Sequence, residues 1–266
     1  MNLRKTLLYN TLGLPAYWRQ CRKSAALLPA RITSVAYGPS ARQYAMVLTP
    51  SEVAVRPGHH AFYFHGGAWT FGTPEKFLAA ALPWLQQGYR VVLPSYRRPP
   101  AVGLHRIVAD CKAAIKLCLK DEEVTELQLG GISAGAHLAA SLTLDQQLWD
   151  DLGLSPTAVL CCAGPLNFGI LRPRPLFLPR YADIDPYQQL NHYVPQATRW
   201  LLLHGTADAT VALQHATSFT KKLGAKQPDS QLLIVPDGTH LDSGRWMFGG
   251  FGATEVAEFI ARSPAP

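Results

Sequence analysis

The sequence predicts an α/β fold: a mostly parallel central sheet with helices on both faces. Two observations predict it. From about residue 61 to residue 261, short apolar runs alternate with segments of helical spacing, and that alternation builds parallel strands joined by crossover helices. Several of the apolar runs stop at glycine-rich turns, where the backbone can reverse tightly. The 266 residues, 48% of them hydrophobic, suffice for one large core, and no internal repeat divides them.

The elements follow in order. Residues 1–30 read as an N-terminal helical segment carrying Tyr17, Trp18, Leu27 and Leu28. It either packs on the core or covers the pocket mouth, since ligand sites need apolar walls. Residues 31–37 and 42–48 read as an antiparallel hairpin turning at Gly38-Pro39-Ser40, and 61–64 as a short strand that stops at Gly66-Gly67. Residues 75–87 have helical spacing through Phe77, Leu78, Ala81 and Leu85. Strands at 90–93, 126–129, 157–163, 200–203 and 231–235 then alternate with helices at 104–119, 134–144, 213–223 and 254–261. Residues 164–195 break the rhythm, rich in proline and aromatics and without a period. An excursion of this length is usually functional, so the main domain, 31–266, is expected to carry a small cap-like insertion there. A plain irregular loop is the alternative.

Composition narrows the function classes. The net charge of +7 is scattered; the densest local group is Arg97-Arg98, with Arg172, Arg174 and Arg180 further on. No stripe of Lys/Arg interleaved with stacking aromatics appears, so no nucleic-acid partner is expected. Five cysteines, odd in number and without C-x-x-C spacing, argue against a disulfide framework or a zinc site, and Cys161 and Cys162 read as small buried hydrophobes. No stretch is long enough to span a bilayer, so integral membrane association is not expected. Arg4, Lys5, Leu7 and Leu8 imitate a signal peptide, but Asn10 interrupts them, and the expected location is the cytoplasm.

Four motifs carry the chemistry. Gly131-Ile132-Ser133-Ala134-Gly135 lies directly after a strand and before a helix, the context of a nucleophile elbow, a turn so tight that its neighbours must be small. The turn puts the Ser133 hydroxyl at a helix N-terminus, which favours developing negative charge. His65-Gly66-Gly67-Ala68-Trp69 ends an earlier strand. The amides of Gly66 and Gly67, with that of Ala134, are candidate donors to the oxyanion of a tetrahedral intermediate. Asp208 follows the strand 200–203, and His240 follows the last strand. An imidazole within reach of a serine can take its proton during attack, and a carboxylate behind the ring fixes its tautomer. The order Ser133, Asp208, His240 suits this arrangement. No metal or organic cofactor is needed.

Each role has rivals in the sequence. His137 lies one helical turn after Ser133 and reads as a core histidine; His65 and His204 flank glycines and read as loop-positioning groups. Asp237 and Asp242 neighbour His240 without following a strand in the acid position, and Asp110 reads as structural. His59, His60, His105 and His192 lack supporting context. Arg97 and Arg98 read either as structural ion-pair partners or as contacts to an anionic substrate group.

These residues resemble the hormone-sensitive-lipase-like branch of the α/β-hydrolase fold, particularly small bacterial esterases and kynurenine formamidases. The resemblance runs from about Tyr37 to the C-terminus. It is carried by His65–Trp69, by Ser133-Ala134-Gly135-Ala136-His137-Leu138 and by Tyr96-Arg97-Arg98-Pro99. It implies Ser133 as nucleophile, Asp208 as acid and His240 as base, with Gly66, Gly67 and Ala134 as oxyanion donors; Trp69 and Arg98 are candidate substrate contacts. The sequence departs from the pattern at Ala68, where many relatives have a third glycine, and at Ile132 and Ser95, where acidic residues are usual. The expected activity is hydrolysis of short-chain or aryl carboxylic esters through an acyl-enzyme. Arylformamidase action is the alternative, and a non-catalytic binding protein on a hydrolase scaffold is the reading from another class. The expected partner is a small-molecule ester or amide, with a homodimer allowed.

Overall fold

The computed structural model describes residues 13–194 and 196–262. Residues 1–12 of the N-terminal segment, and with them most of the signal-peptide-like stretch, lie outside the described residues, as does Pro195 in the excursion. Eight strands form one sheet: β1 (Ala30–Ala36), β2 (Tyr44–Pro50), β3 (His59–Phe64), β4 (Arg90–Pro94), β5 (Glu126–Ile132), β6 (Ala158–Cys162), β7 (Arg199–Gly205) and β8 (Gln231–Val235). Their order is β1-β2-β4-β3-β5-β6-β7-β8. β2 runs antiparallel to both of its neighbours, and every pairing from β4 to β8 is parallel. This is the mostly parallel sheet expected from the alternation.

The helices named here are α1 (Leu14–Ala25), α2 (Leu82–Gln86), α3 (Leu104–Cys118), α4 (Ala134–Thr143), α5 (Gln146–Leu152), α6 (Pro186–Gln189), α7 (Gln214–Gly224) and α8 (Ala253–Ala261). Side chains alternate across the strands, so each face builds its own core. Phe62, Phe64, Leu129, Val159, Cys161 and Leu202 pack beneath α3, α4 and α7. Ala61, Tyr63, Leu160, Cys162, Leu201 and Leu203 pack on the other face with Trp84, Trp246 and α8. β5 is buried along its whole length, and the site grows from its carboxyl end.

Two expectations change in detail. The helix expected over 75–87 is a 3₁₀ segment, Pro74–Ala81, followed by α2; Pro74 and Pro83 each stand at the first or second position of one of these pieces, where the missing amide costs least. The excursion 164–195 contains short 3₁₀ turns, Arg174–Leu176 and Ala182–Ile184, and α6. Leu166, Phe168, Tyr181, Ile184, Leu190 and Tyr193 anchor it in the core on the α3–α4–α7 side. Among the described residues, no helix is long and apolar enough to cross a membrane.

Candidate active site

The elbow is built by crowding. A Cβ on Gly131 would stand 2.3 Å from the Gly135 carbonyl oxygen, and one on Gly135 would stand 1.9 Å from that of Phe64. Only hydrogens fit at either position, so the turn closes directly onto β3. Ser133 pays with its backbone: φ is 56° and ψ −123°, a region costly for a side-chain-bearing residue. Its amide donates to the Cys162 carbonyl at 2.8 Å, which ties the elbow to β6.

The three candidate residues converge. The Ser133 hydroxyl lies 2.9 Å from His240 Nε2, and His240 Nδ1 lies 2.7 Å from Asp208 Oδ2. Ser133 and His240 are separated by 107 positions in the chain. The strand ends bring them together: Asp208 follows β7 and His240 follows β8, neighbours in the sheet. A Cβ on Gly205 would meet the Gly238 carbonyl oxygen at 2.1 Å, so these two loops also touch backbone to backbone.

Asp208 is anchored on both oxygens. Oδ1 accepts from the amides of Thr210 and Val211 at 2.8 and 2.9 Å. Oδ2 faces His240 and also lies 3.4 Å from His204 Nε2. Burial alone would raise this carboxyl, but the hydrogen bonds from His204 and His240, the His240 charge and the Val211 amide outweigh it and hold the group well below the usual carboxylate range. Asp208 is therefore an anion throughout the neutral range, suited to orient an imidazole and stabilise its cation.

Other neighbours have supporting positions. His204 Nε2 donates to the Val211 carbonyl at 2.8 Å, bracing the Asp208 loop. His65 Nδ1 donates to the Gly66 carbonyl at 2.8 Å, and its ring stacks on Tyr96 at 4.3 Å between centroids. Asp242, set aside as an acid, accepts from the amide and hydroxyl of Thr239 at 2.7 Å each and so pins the loop carrying His240. The signal that could have found it is the local Thr-x-x-Asp spacing, in which an acid reaches back three residues to an amide as in a capping box. His137 is fully buried: it accepts from Trp69 Nε1 at 3.3 Å and donates to the Ile184 carbonyl at 2.9 Å. Burial pushes its pKa down to about 4. It joins the elbow helix to the excursion.

A cavity of about 260 Å³ opens over Ser133 and His240. Gly66, Gly67 and Ala68 form one wall; Gly67 has φ +127°, and a Cβ there would strike the Phe71 carbonyl oxygen at 2.0 Å. Ala134 is the first residue of α4, where an amide has no acceptor within the helix. Leu14 and Trp18 of α1, Phe71, Phe77, Ile132 and Leu241 make the rest mostly apolar. Among the described residues, none from the 164–195 excursion lines this cavity. The wall comes instead from α1, because the excursion is committed to the α3–α4–α7 core.

Trp69 and Arg98 fall outside the lining. Trp69 contacts His137, Phe168 and Phe177 edge-on or tilted, because a positive φ of 60° turns its backbone after the glycines. Arg98 is buried, and its Nε and Nη2 meet no protein acceptor among the described residues. Arg97 forms the ion pair instead, its Nη2 2.7 Å from Asp110 Oδ1. Asp110 also accepts from Gln43 Nε2 at 3.0 Å, in keeping with a structural role.

Comparison with known proteins agrees with the fold. Residues 61–173 match a family described as alpha/beta hydrolase fold, and residues 176–260 match the prolyl oligopeptidase family. Among solved structures, a truncated carbohydrate esterase from gut microbiota superposes with a TM-score of 0.73 at 17% identity, covering 86% of this chain and 95% of that one. Esterase B from Lactobacillus rhamnosis gives 0.69 at 17% identity, covering 98% and 97%. Sheet topology and the structural likeness define the class at the level of the fold: this chain has the α/β-hydrolase fold. Within that class its curated relatives by sequence include the kynurenine formamidases of Danio rerio, 32% identical over 95 residues, and Salmo salar, 30% identical over 95 residues. Those matches span 35% of this chain and 32% of each relative, so the likeness covers about a third of either protein.

Proposed function

We propose that the chain hydrolyses small carboxylic esters through an acyl-enzyme on Ser133. The single observation that carries this reading is His240, whose two ring nitrogens face Ser133 Oγ and Asp208 Oδ2 at hydrogen-bond distance. With Nδ1–H held by the Asp208 carboxylate, Nε2 carries the free lone pair. It takes the serine proton as Oγ attacks the carbonyl carbon. The negative charge gathering on the carbonyl oxygen is met by the amides of Gly66, Gly67 and Ala134. The imidazolium then protonates the departing alkoxide, and the acyl group stays on Oγ. Water, deprotonated by the same nitrogen, releases the acid and restores the hydroxyl.

The cavity supports a short-chain preference. Its volume of about 260 Å³ lies below the roughly 300–1,000 Å³ of sites that enclose drug-sized ligands. Turnover of p-nitrophenyl acetate, butyrate and dodecanoate tests this: the first two are expected to be cleaved far faster than the third. Equal rates along the series would reject the size argument, and no cleavage of any would reject the esterase reading.

Aromatic formamide hydrolysis is the second reading, favoured by the sequence match to kynurenine formamidases. The same serine chemistry would release formate. Fast deformylation of N-formylkynurenine beside negligible ester turnover would select it. A binding protein on a retired hydrolase scaffold is the third, and it would turn over neither.

A further inference from the structure

We propose that the cavity is a subsite for a carboxylate-bearing substrate, with Lys76 as the specificity-determining residue; this rests on the hydrolase reading above and names the class of ester or amide that the site takes. Among the described residues lining the cavity, the titratable side chains are Lys76 and the candidate base His240; no carboxylate is among them. Lys76 Nζ sits 5.5 Å from the centroid of the Trp18 ring, which also lines the cavity. An aromatic face holds an ammonium loosely oriented without neutralising it. Lys76 is in none of the ion pairs among the described residues, and its neighbour Glu75 accepts from the Tyr44 hydroxyl at 2.7 Å. Asp208, the acid nearest the chemistry, is fully committed to His240, His204 and two backbone amides.

The electrostatic consequence is direct. A small apolar pocket bearing one uncompensated cation at its wall attracts a molecule that is apolar at the reacting end and anionic at the other. Lys76 lines the cavity while remaining exposed to solvent, so it acts as a charge at the mouth that draws in and orients an anionic group rather than as a desolvated partner. The ammonium is a point charge without a fixed fork, so it selects charge rather than one rigid geometry. The charge can sit on the acyl part or on the leaving group.

Two matched pairs separate these arms: 4-acetoxybenzoate against its methyl ester, and mono-p-nitrophenyl adipate against p-nitrophenyl hexanoate. In at least one pair, Lys76→Met is expected to lower kcat/KM for the anionic member about tenfold, mainly through KM, and to change the neutral member less than twofold. Lys76→Arg is expected to restore most of the loss. Lys120→Met, the same charge change at an exposed site away from the cavity, is expected to leave the ratio alone. A binding arm needs no turnover: calorimetry of 4-acetamidobenzoate with Ser133→Ala, and with the double variant carrying Lys76→Met, is expected to show affinity lost only in the latter. Ester cleavage without Lys76-dependent discrimination would overturn the subsite and leave the hydrolase reading intact. Absent cleavage with Lys76-dependent binding would overturn the hydrolase reading and leave the subsite. Lys120→Met matching Lys76→Met would also overturn the subsite, by reducing the effect to net charge.

Discussion

His240 Nε2 stands 2.9 Å from Ser133 Oγ, although the two residues hang from strands β8 and β5, with β6 and β7 between them in the sheet. The Ser133 end is fixed by a strained elbow jammed against β3, and the His240 end by the Thr239–Asp242 turn and by Asp208.

Ser133 carries strain for its position, so function and stability should part there. Ser133→Gly removes the nucleophile and also the Cβ that makes φ 56° costly. Hydrolysis is expected to fall by about 10⁴-fold or more. The melting temperature is expected to hold or to rise by about 2–4 °C, since strain of this kind is worth about 1–3 kcal/mol and glycine gives part of it back as chain entropy. Thermal melts beside ester assays check it; a large drop in melting temperature would contradict the strain argument.

Asp208→Asn keeps the shape but removes the charge that holds the His240 tautomer. The expected loss in kcat is about 10⁴-fold, with KM little changed. Because hydrogen bonds from His204 and His240 hold Asp208 well below the usual carboxylate range, its own titration cannot shape the rate near neutrality. Unchanged kcat in Asp208→Asn would remove this carboxylate from the chemistry of the site.

Gly67→Ala tests the oxyanion wall. The added Cβ would meet the Phe71 carbonyl oxygen at 2.0 Å, on a backbone with φ +127°, so the loop must move. The expected effect is a loss of about 10²–10³-fold in kcat, with far-UV circular dichroism unchanged. Unaltered kcat would show that this loop does not hold the oxyanion.

Stability should fall as the medium is acidified below neutrality. Burial lowers His65, His137 and His215 from 6.5 to about 4. Between those values the unfolded chain binds protons that the native chain refuses, so stability declines as pH drops through the window and this contribution levels off below about 4. Asp185, pushed up to about 6 by burial, acts in the opposite sense and offsets part of one histidine. Asp208 has a depressed folded value, so its contribution is present above the ordinary carboxylate range and is lost only below it. The net expectation is a melting temperature at least about 10 °C lower at pH 4.5 than at pH 7. A constant melting temperature over that interval would contradict the burial of these rings.

Much of this was legible in the residues, and the reason is physical. The elbow demands small neighbours and a strand-to-helix context, so Gly131, Gly135 and the flanking apolar runs announce it. Asp208 and His240 could be chosen because each follows a strand, and parallel strands deliver their carboxyl ends to one edge. The pocket walls were not legible. Whether α1 or the 164–195 excursion lines the cavity depends on which apolar faces find the core, and Phe168, Tyr181 and Leu190 commit the excursion elsewhere. Trp69 and Arg98, the candidate substrate contacts, are not among the described residues lining the cavity; for Trp69 the positive φ of 60° that directs its ring has no signature in the sequence. Lys76 gave no motif at all; its meaning comes from what surrounds it in space.

The most direct test of the central claim is reaction with a fluorophosphonate followed by peptide mapping. A single adduct is expected on the peptide carrying Ser133, lost in Ser133→Ala and strongly slowed in His240→Ala. Labelling that persists in Ser133→Ala, or an adduct mapped to another serine, would contradict it.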